Sequence, residues 1–362
     1  MTLVTGKYLL NNADKFKYGQ PAFNVNFVDQ VTSAIEIHEA FHAPLLLQVA
    51  DLALGFFGGR VDFANSTLED KIRGAKLIAN FVKEKAKETN IPVALHLDHG
   101  RTYETVKACI EAGFTSVMYD GSSLPFEENI KNTKAVVDLA KKYNVSVEAE
   151  LGILAGVEDD VSSENSTYTN PLQALEFVQK TGIDYLAISY GTKHGASKGK
   201  NVKLSTEIVT AIKELFLFSN INCQLVSHGS STIPTYLVES LSKYSMDMGE
   251  SEGIKIDQIQ KAIKAGINKI NVDTDIRMAT TRNILELFEN HPEYKTKDKY
   301  KYAYDYIKNN NDFDPRNSLV EFKNEITSGF SDEDYLLKNA MDKAVKEMMG
   351  QIIVEFGSIG RA

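Results

Sequence analysis

Short apolar runs alternate with segments of helical periodicity along the whole chain. Eight near-continuous apolar runs predict strands: AFNVN (22–26), PLLLQV (44–49), PVALHLDH (92–99), SVMYDG (116–121), VSVEAEL (145–151), DYLAISYG (184–191), CQLVSHG (223–229) and KINVDTD (269–275). Between them, segments such as VDQVTSAIEIHEAF and KNTKAVVDLAKKY carry apolar residues at the spacing of an amphipathic helix. Strands buried on both faces and separated by helices are typical of a parallel sheet. Eight such units predict an α/β fold of the (β/α)₈ TIM-barrel type, with an open doubly wound sheet as the alternative.

The helical pattern continues beyond the last predicted strand. We therefore expect residues 1–362 to form a single barrel domain with a helical extension at about 286–352. Within it, residues 292–312 interleave Tyr and Lys, which in a basic protein would suggest nucleic-acid binding; here a solvated or oligomer-facing helix is the better interpretation. Residues 157–171 are polar and lack periodicity, which predicts a mobile loop without regular structure.

Composition excludes several classes of function. The formal net charge of −9 argues against sequence-independent nucleic-acid binding and against a polybasic membrane surface. Cys109 and Cys223 are too few and too isolated for a disulfide framework or a CxxC zinc site, and they fit a reducing compartment. The sequence shows no signal-peptide core and no apolar run near the roughly 18 residues of a membrane span. We expect a soluble, cytoplasmic protein.

Polar residues stand at the carboxyl ends of the predicted strands, where α/β barrels place their chemistry. In a purely structural barrel each of them would need a partner or would cost free energy. They are Asn24, Gln48, Asp98, His99, Asp120, Glu148, Glu150, His194, His228, Asn271, Asp273 and Asp275.

Three histidines follow the third, sixth and seventh strands. A closed barrel would bring His99, His194 and His228 to one mouth, and three neutral imidazoles with an open fourth position suit a catalytic Zn²⁺. Each alone could be an ordinary capping or core histidine; together they favour a metal site. Two interpretations of His96 remain: it supports a metal ligand, or it is a hydrogen-bonded residue of the core. The other histidines lie in helical or tail segments and are interpreted as structural: His38, His42 and His291.

Glycines next to two of these histidines suggest an anion site. Gly195 and Gly229 follow His194 and His228, and Ser230–Ser231 are expected to open the next helix. Backbone N–H groups at such a turn can hold a phosphate, although a plain turn with an N-cap has the same pattern. Lys198 could supply a nearby cation.

Seven motifs occur in order along the chain: PAFNVNFVDQV, ALHLDHG, EAELGILAGVEDDV, AISYGTKHG, LVSHGSS, INKINVDTDIRMA and FGSIG. Over nearly its whole length the chain resembles the class II, metal-dependent fructose-bisphosphate aldolases. The NVDTDIR motif favours the fructose-bisphosphate members over the tagatose-bisphosphate members. The resemblance implies a (β/α)₈ barrel that cleaves fructose 1,6-bisphosphate reversibly into dihydroxyacetone phosphate and glyceraldehyde 3-phosphate, in glycolysis and gluconeogenesis.

The resemblance also implies roles for metal ligands and proton carriers. The catalytic Zn²⁺ would be held by His99, His194 and His228. Glu150 would be an alternative ligand or would bind a second divalent or monovalent cation. Asp98 would be the acid/base at the C4 hydroxyl, and Glu158 would move the proton at the carbon that becomes nucleophilic.

Further residues would bind substrate. The phosphate of the dihydroxyacetone phosphate half would contact Gly195, Lys198, Gly229, Ser231, Asp273 and Thr274. Asn271 would hydrogen-bond the reacting hydroxyls, and Asn24 is also assigned to the substrate. Arg277 would reach the second phosphate in a neighbouring subunit's site, which implies a homodimer or homotetramer, and Arg316 in FDPRN is a further candidate for that phosphate.

The expected chemistry agrees with these residues. Cleavage develops negative charge on the former C2 carbonyl oxygen, which a Zn²⁺ Lewis acid can stabilise, whereas a class I aldolase uses a lysine Schiff base. Two positions depart from the family pattern: Ala50 stands where a serine is common, and Ala155 where a second glycine is common. Three alternatives remain: a tagatose-bisphosphate aldolase, a degenerate phosphosugar-binding barrel, and a zinc amidohydrolase. The last would want H-x-H on the first strand, where Asn24 and Asn26 stand.

Overall fold

Ten strands form in the part of the chain that the structure describes. The computed structural model describes residues 3–152, 167–195, 202–249 and 251–362, and the backbone of 156–158 and 161–163. The strands are β1 Gln20–Asn24, β2 Leu45–Ala50, β3 Val93–Gly100, β4 Ser116–Tyr119, β5 Ser146–Leu151, β6 Gly156–Glu158, β7 Val161–Ser163, β8 Tyr185–Ile188, β9 Gln224–Ser227 and β10 Ile267–Val272. All except β6 and β7 pair in parallel into a closed barrel, in the order β1-β10-β9-β8-β5-β4-β3-β2. The predicted barrel is confirmed, and the open sheet is wrong.

Helices connect successive strands and follow the last one. They are α1 Gly6–Phe16, α2 Val28–Ala40, α3 Asp51–Phe57, α4 Leu68–Lys85, α5 Tyr103–Ala112, α6 Phe126–Ala140, α7 Pro171–Thr181, α8 Thr206–Phe218, α9 Thr235–Lys243, α10 Ile256–Ala265, α11 Thr274–Asn290, α12 Asp298–Asn310, α13 Pro315–Ser318, α14 Lys323–Ser328 and α15 Tyr335–Glu355. Short 3₁₀ turns cover Phe63–Asn65, Lys141–Tyr143, Pro292–Thr296 and Asp332–Asp334. None of the helices in the described part of the chain is long and apolar enough to cross a membrane.

The two faces of the barrel strands carry different chemistry. Along β3, Leu95 and Leu97 join the large apolar cluster that also contains residues of the surrounding helices. The alternate residues, His96 and Asp98, are equally buried but hydrogen-bond to polar side chains of other strands. Because successive side chains of a strand point to opposite faces, the barrel has an apolar outer face and a largely polar interior.

Helix α1 precedes the barrel and closes its amino-terminal end, the floor. Thr5 caps the helix, since its Oγ1 accepts a hydrogen bond from the backbone N–H of Tyr8 at 3.3 Å. Leu9 packs against Ala22, Leu46 and Ala94 of three strands. Leu10 packs against the opposite side of the floor, at Tyr185, Ala187 and Val226. The floor is therefore sealed, and the site must open at the carboxyl end, the mouth.

The carboxyl-terminal helices pack on the outside of the barrel, where α15 lies against α2 and α11. The helix expected in the Tyr/Lys-rich segment is present as α12. Its Tyr300 and Ile307 are buried, whereas Tyr302 is exposed. This pattern fits a helix with one packed face and one open face.

The segment after β5 differs from the prediction. Residues 157–171 were expected to lack regular structure, but β6 and β7 pair antiparallel with Gly156 opposite Ser163 and Glu158 opposite Val161. The signal in the sequence is two short runs, GVE and VSS, separated by the turn-forming pair Asp-Asp. Runs of three residues are too short for the alternation that identified the barrel strands.

Candidate active site

Three side-chain amides converge on the carboxylate of Asp98. Asn24 on β1 and Gln48 on β2 donate to Oδ2 at 2.9 and 3.2 Å, and Asn271 on β10 donates to Oδ1 at 2.9 Å. The parallel register places these strands side by side, with Ala50 opposite Asp98. Asp98 is 2% exposed, so these donors orient the carboxylate and satisfy its buried oxygens. Gln48 was noted at a strand end but given no role, because nothing local to it shows that it reaches Asp98.

The three predicted metal-binding histidines meet at the barrel mouth. The ring centroid of His99 lies 4.5 Å from that of His228 and 5.7 Å from that of His194, and the last two are 6.5 Å apart. His99 has a φ of 50°, in the left-handed region that is uncommon for a residue with a side chain. Such backbone strain is concentrated at functional sites.

Potential ligand atoms cluster more tightly than the rings. Among the described residues, two groups have ligand atoms within 4.8 Å of one another: Asp98, His99 and His228; and His99, Asp120 and Glu150. His228 Nδ1 lies 3.2 Å from Glu150 Oε2, and both atoms are buried without a hydrogen bond of normal geometry. Buried polar atoms in this condition are costly unless a further group binds them. Imidazole nitrogens and carboxylate oxygens fit Zn²⁺. His194 stands beside these groups but belongs to neither.

A carboxylate stands behind each of the two central histidines. His99 Nδ1 lies 2.8 Å from Asp120 Oδ2, and His228 Nε2 lies 2.7 Å from Glu148 Oε1. Metal-binding histidines commonly use such an outer hydrogen bond to fix the ring and its tautomer. Burial would lower the pKa of His228, but the neighbouring carboxylates of Glu148 and Glu150 raise it to about 9. The surroundings therefore favour positive charge at this point, as a cation site requires.

The loops after β8 and β9 touch through their backbones at Gly229. A Cβ there would lie 2.5 Å from the carbonyl carbon and oxygen of Lys193, and the φ of Gly229 is 59°. Only glycine allows this approach without displacing the other loop. The close contact at Gly229 therefore brings the loop after His228 against the loop that carries His194.

The helix expected at Ser230–Ser231 begins later, at Thr235, so that prediction is wrong. Asp275, at the start of α11, accepts hydrogen bonds from Thr232 N at 3.1 Å, Thr232 Oγ1 at 2.9 Å and Ile233 N at 2.7 Å. Ile233 has a φ of 40°, which a helix does not allow. Asp275 thus holds this turn open in a non-helical form, and a phosphate here would meet a loop rather than a helix N-terminus.

Two of the proposed phosphate-binding arginines share one carboxylate. Arg316 is 2% exposed, and its Nη2 donates to Asp314 Oδ2 at 2.7 Å; Arg277 Nη1 donates to the same oxygen at 3.1 Å. Burial would raise the pKa of Asp314, but the two guanidinium groups outweigh it and lower that pKa to about 2. Arg277 Nε also donates to Asp273 at 2.8 Å. The cluster joins α11 to α13 within one chain.

The remaining predicted residues fall in three groups. Gly195 has a φ of 82°, and Thr274 begins α11 next to Asp273. Glu158 ends strand β6, of which the structure describes the backbone. Lys198 and Ala155 lie outside the described residues.

Comparisons with known proteins agree with this geometry. The family model described as "Fructose-bisphosphate aldolase class-II" matches residues 4–361. A fructose-bisphosphate aldolase of Thermus caldophilus is 35% identical over 99% of this chain and 100% of its own. One of Giardia intestinalis is 40% identical over 81% of this chain and 85% of its own.

Among solved structures, the YdjI aldolase from Escherichia coli K12 has a TM-score of 0.69 and 26% identity, covering all of both chains. The fructose-bisphosphate aldolase from Campylobacter jejuni has a TM-score of 0.72 over 100% of this chain and 97% of that chain. Its 21% identity makes it a likeness of fold alone.

Proposed function

Because the chain belongs to the class II fructose-bisphosphate aldolase family, we propose that it is a lyase that cleaves fructose 1,6-bisphosphate reversibly into dihydroxyacetone phosphate and glyceraldehyde 3-phosphate at the barrel mouth. The observation that carries this proposal is the meeting of Asp98, fixed by three amides, with the histidine and carboxylate cluster beside it.

The family is generally zinc-dependent, and the residues at the mouth fit that ion. We propose that His99, His194 and His228 hold the Zn²⁺ and that Glu150 is an alternative ligand or serves a second cation. The buried His228 Nδ1 and Glu150 Oε2, 3.2 Å apart, support a cation between these side chains. A Zn²⁺ bound there would act as a Lewis acid for the charge that develops on the C2 oxygen.

The protein's own residues would carry the protons. Asp98 would accept the C4 hydroxyl proton as the C3–C4 bond breaks and return it in condensation. Asn24 and Asn271 would share their amide donors between Asp98 and the substrate hydroxyls. Glu158, at the end of strand β6, would deliver the proton to C3 of the triose that becomes dihydroxyacetone phosphate. A short hairpin is a suitable carrier for a group that must approach bound substrate.

We assign the phosphates as the resemblance implies. The first would bind at the loops after β8, β9 and β10, through Gly195, Lys198, Gly229, Ser231, Asp273 and Thr274. The second phosphate would bind Arg277 of a neighbouring subunit. Arg316, which shares the Asp314 carboxylate with Arg277, would be a further contact for that phosphate. The sharing of Arg277 between subunits leads us to propose a homodimer or homotetramer. We also propose that residues 1–362 form one barrel domain with its helical extension, and that the protein is located in the cytoplasm.

A coupled assay that detects triose phosphate tests the reaction. Purified protein should cleave fructose 1,6-bisphosphate faster than tagatose 1,6-bisphosphate, lose activity on chelation and recover it with Zn²⁺. Faster cleavage of the tagatose sugar would replace the proposed substrate. Chelator-resistant activity that borohydride blocks would indicate a Schiff base, and zinc-loaded protein that binds the sugar without cleaving it would indicate a degenerate barrel.

A further inference from the structure

Below the metal cluster, the barrel interior contains a buried ion pair that none of the steps above uses. Lys269 on β10 and Glu148 on β5 are both 0% exposed, and Lys269 Nζ donates to Glu148 Oε2 at 2.8 Å. The two strands are not neighbours in the barrel, so the pair spans its interior. The other oxygen of Glu148, Oε1, is the one that lies 2.7 Å from His228 Nε2.

The polar contacts continue downward from this pair. His96 Nε2 lies 3.4 Å from Lys269 Nζ and 3.4 Å from Glu148 Oε2, and His96 Nδ1 lies 2.6 Å from Ser116 Oγ. Ser116 contacts the hydroxyl of Tyr185, which lies 3.0 Å from Ser146 Oγ. We name this set the buried column: Glu148, Lys269, His96, Ser116, Tyr185 and Ser146.

The column assigns donors and acceptors without ambiguity at its upper end. A lysine ammonium only donates, so Glu148 accepts from Lys269 through Oε2. With Glu148 ionised beside Lys269, Oε1 has no hydrogen to donate, so the hydrogen of this contact belongs to His228 Nε2. Nδ1 is then the His228 nitrogen that faces the mouth, where Glu150 and the metal cluster lie.

We propose that Glu148 is a positioning residue for the metal centre: it fixes the ring and the tautomer of His228 from below, and Lys269 keeps its carboxylate in place. This inference rests on the metal site of the proposed function and adds a residue that the proposed mechanism does not need. A fully buried carboxylate without a cation would be too costly to keep ionised, and the contact with Lys269 offsets part of that cost. In this arrangement His96 supports the pair, and it is not a metal ligand.

A merely structural column makes a different prediction. It would stabilise the barrel equally whether or not His228 binds metal, and replacing Glu148 would lower stability with no effect on metal affinity. A positioning role requires the metal affinity itself to fall, by about 10-fold to 100-fold for the loss of an outer carboxylate.

The experiment measures Zn²⁺ affinity of the full-length, metal-free protein by competition with a chromophoric chelator. Glu148→Gln keeps the shape and one acceptor oxygen but removes the charge, and we expect about 10-fold to 100-fold weaker binding. Because this variant leaves Lys269 buried without its partner, Glu148→Gln with Lys269→Met serves as a second, charge-neutral variant with the same expected loss. Asp334→Asn is the matched control, since Asp334 is also a buried carboxylate that accepts hydrogen bonds, from Lys299 and Tyr300, but lies outside the barrel and belongs to neither metal group.

The outcomes distinguish a failure of the proposed metal centre from a failure of the proposed role of Glu148. If the unmodified protein fails to bind Zn²⁺, the proposed metal centre fails, and the role of Glu148 falls with it. If the unmodified protein binds Zn²⁺ and both Glu148 variants bind it equally tightly, the positioning role is overturned while the proposed function stands. Weakening of the same size in Asp334→Asn would also overturn it, because the effect would then be general destabilisation.

Discussion

Buried polar groups occur at both ends of the barrel interior, but they are satisfied differently. At the floor, Ser116 and Ser146 each hydrogen-bond to the hydroxyl of Tyr185. At the mouth, His228 Nδ1 and Glu150 Oε2 are equally buried yet lack a hydrogen bond of normal geometry. Burial and polarity alone therefore do not identify a functional residue. A pair of buried ligand atoms that the protein leaves unsatisfied is the additional sign of a cation site here.

Asp98, at the mouth, differs from Glu148 in the kind of group that satisfies its carboxylate. The donors to Asp98 are neutral amides alone. Asn24, Gln48 and Asn271 carry no charge and can exchange partners at little cost, unlike the Lys269–Glu148 pair below them. A neutral set of donors suits a carboxylate that must take up and release a proton. A charged pair suits one that must stay fixed.

The largest expected effect comes from removing the proton carrier at the mouth. Asp98→Asn should lower kcat by about 10³-fold, equivalent to about 4 kcal/mol, because general acid/base catalysis is lost while the side-chain shape is kept. Zn²⁺ content should stay close to that of the unmodified protein, whereas the urea midpoint should fall, because one buried oxygen that accepts from the amides becomes an NH2 group that cannot accept. The coupled assay and metal analysis measure both. Asp138→Asn, at a carboxylate that is 56% exposed on α6, is the control and should change nothing. Full turnover by Asp98→Asn would remove Asp98 from the mechanism.

A buried imidazole outside the barrel interior should affect stability and not catalysis. His38 on α2 is fully buried, and its Nδ1 lies 2.7 Å from the carbonyl oxygen of Ala34. Burial lowers the pKa of His38 from 6.5 to about 4. Between these pH values the unfolded chain binds a proton that the native protein does not. Stability should therefore fall as pH falls from 6.5 to 4, by about 1.4 kcal/mol per pH unit and about 3 kcal/mol in all.

Urea unfolding at pH 7 and pH 4.5 measures this effect as a difference between variants. His38→Gln should show a shallower pH dependence than the unmodified protein, with unchanged kcat at pH 7. His291→Gln, at a histidine that is 40% exposed, should keep the original dependence. An identical slope in all three proteins would contradict the assignment to His38.

A change at the floor should lower stability and leave the mouth intact. A Cβ at Gly6 of α1 would lie 2.5 Å from the hydroxyl of Tyr185 and 2.8 Å from Ser116 Oγ. Gly6→Ala should cost about 1–3 kcal/mol in urea unfolding, as overpacking usually does. The kcat and the Zn²⁺ affinity should be retained.

The matched control is another helical glycine with room for a methyl group. Gly350→Ala in α15 would place its Cβ no closer than 3.4 Å to Phe41, so the gain in helix propensity should leave stability equal or higher. If Gly6→Ala reduced kcat as strongly as Asp98→Asn, the separation between floor and mouth would be wrong.

The barrel was predictable from the sequence because its strands are short apolar runs with helices between them. Asp98, His99 and His228 were predictable as site residues because a parallel barrel brings all strand ends to one mouth, whatever the details of packing. The roles of Gln48 and Glu148 were not, since each depends on which side chain lies across the interior. Lys269 was identified only as the first residue of a predicted strand.

The two errors have different origins. The start of α9 was misplaced because Asp275, 43 residues after Thr232, holds the turn open. Hairpin β6–β7 was missed because three-residue strands carry too little periodicity. A partner distant along the chain decided the first case, whereas in the second the local pattern was too short to predict a strand.

The smallest expected effect tests support of a histidine at the mouth itself. Asp120 contacts His99 at 2.8 Å, as Glu148 contacts His228, but Asp120 is 20% exposed and also accepts hydrogen bonds from Ser122 at 2.7 and 3.1 Å. Water can take over part of its role, so Asp120→Asn should weaken Zn²⁺ binding by about 10-fold or less, at the low end for an outer ligand. Chelator competition on Asp120→Asn and Glu148→Gln side by side gives the ranking. A larger loss from Asp120→Asn would mean that exposure does not determine how much an outer carboxylate contributes to Zn²⁺ affinity. Asp120, behind His99, would then support metal binding more strongly than Glu148, behind His228.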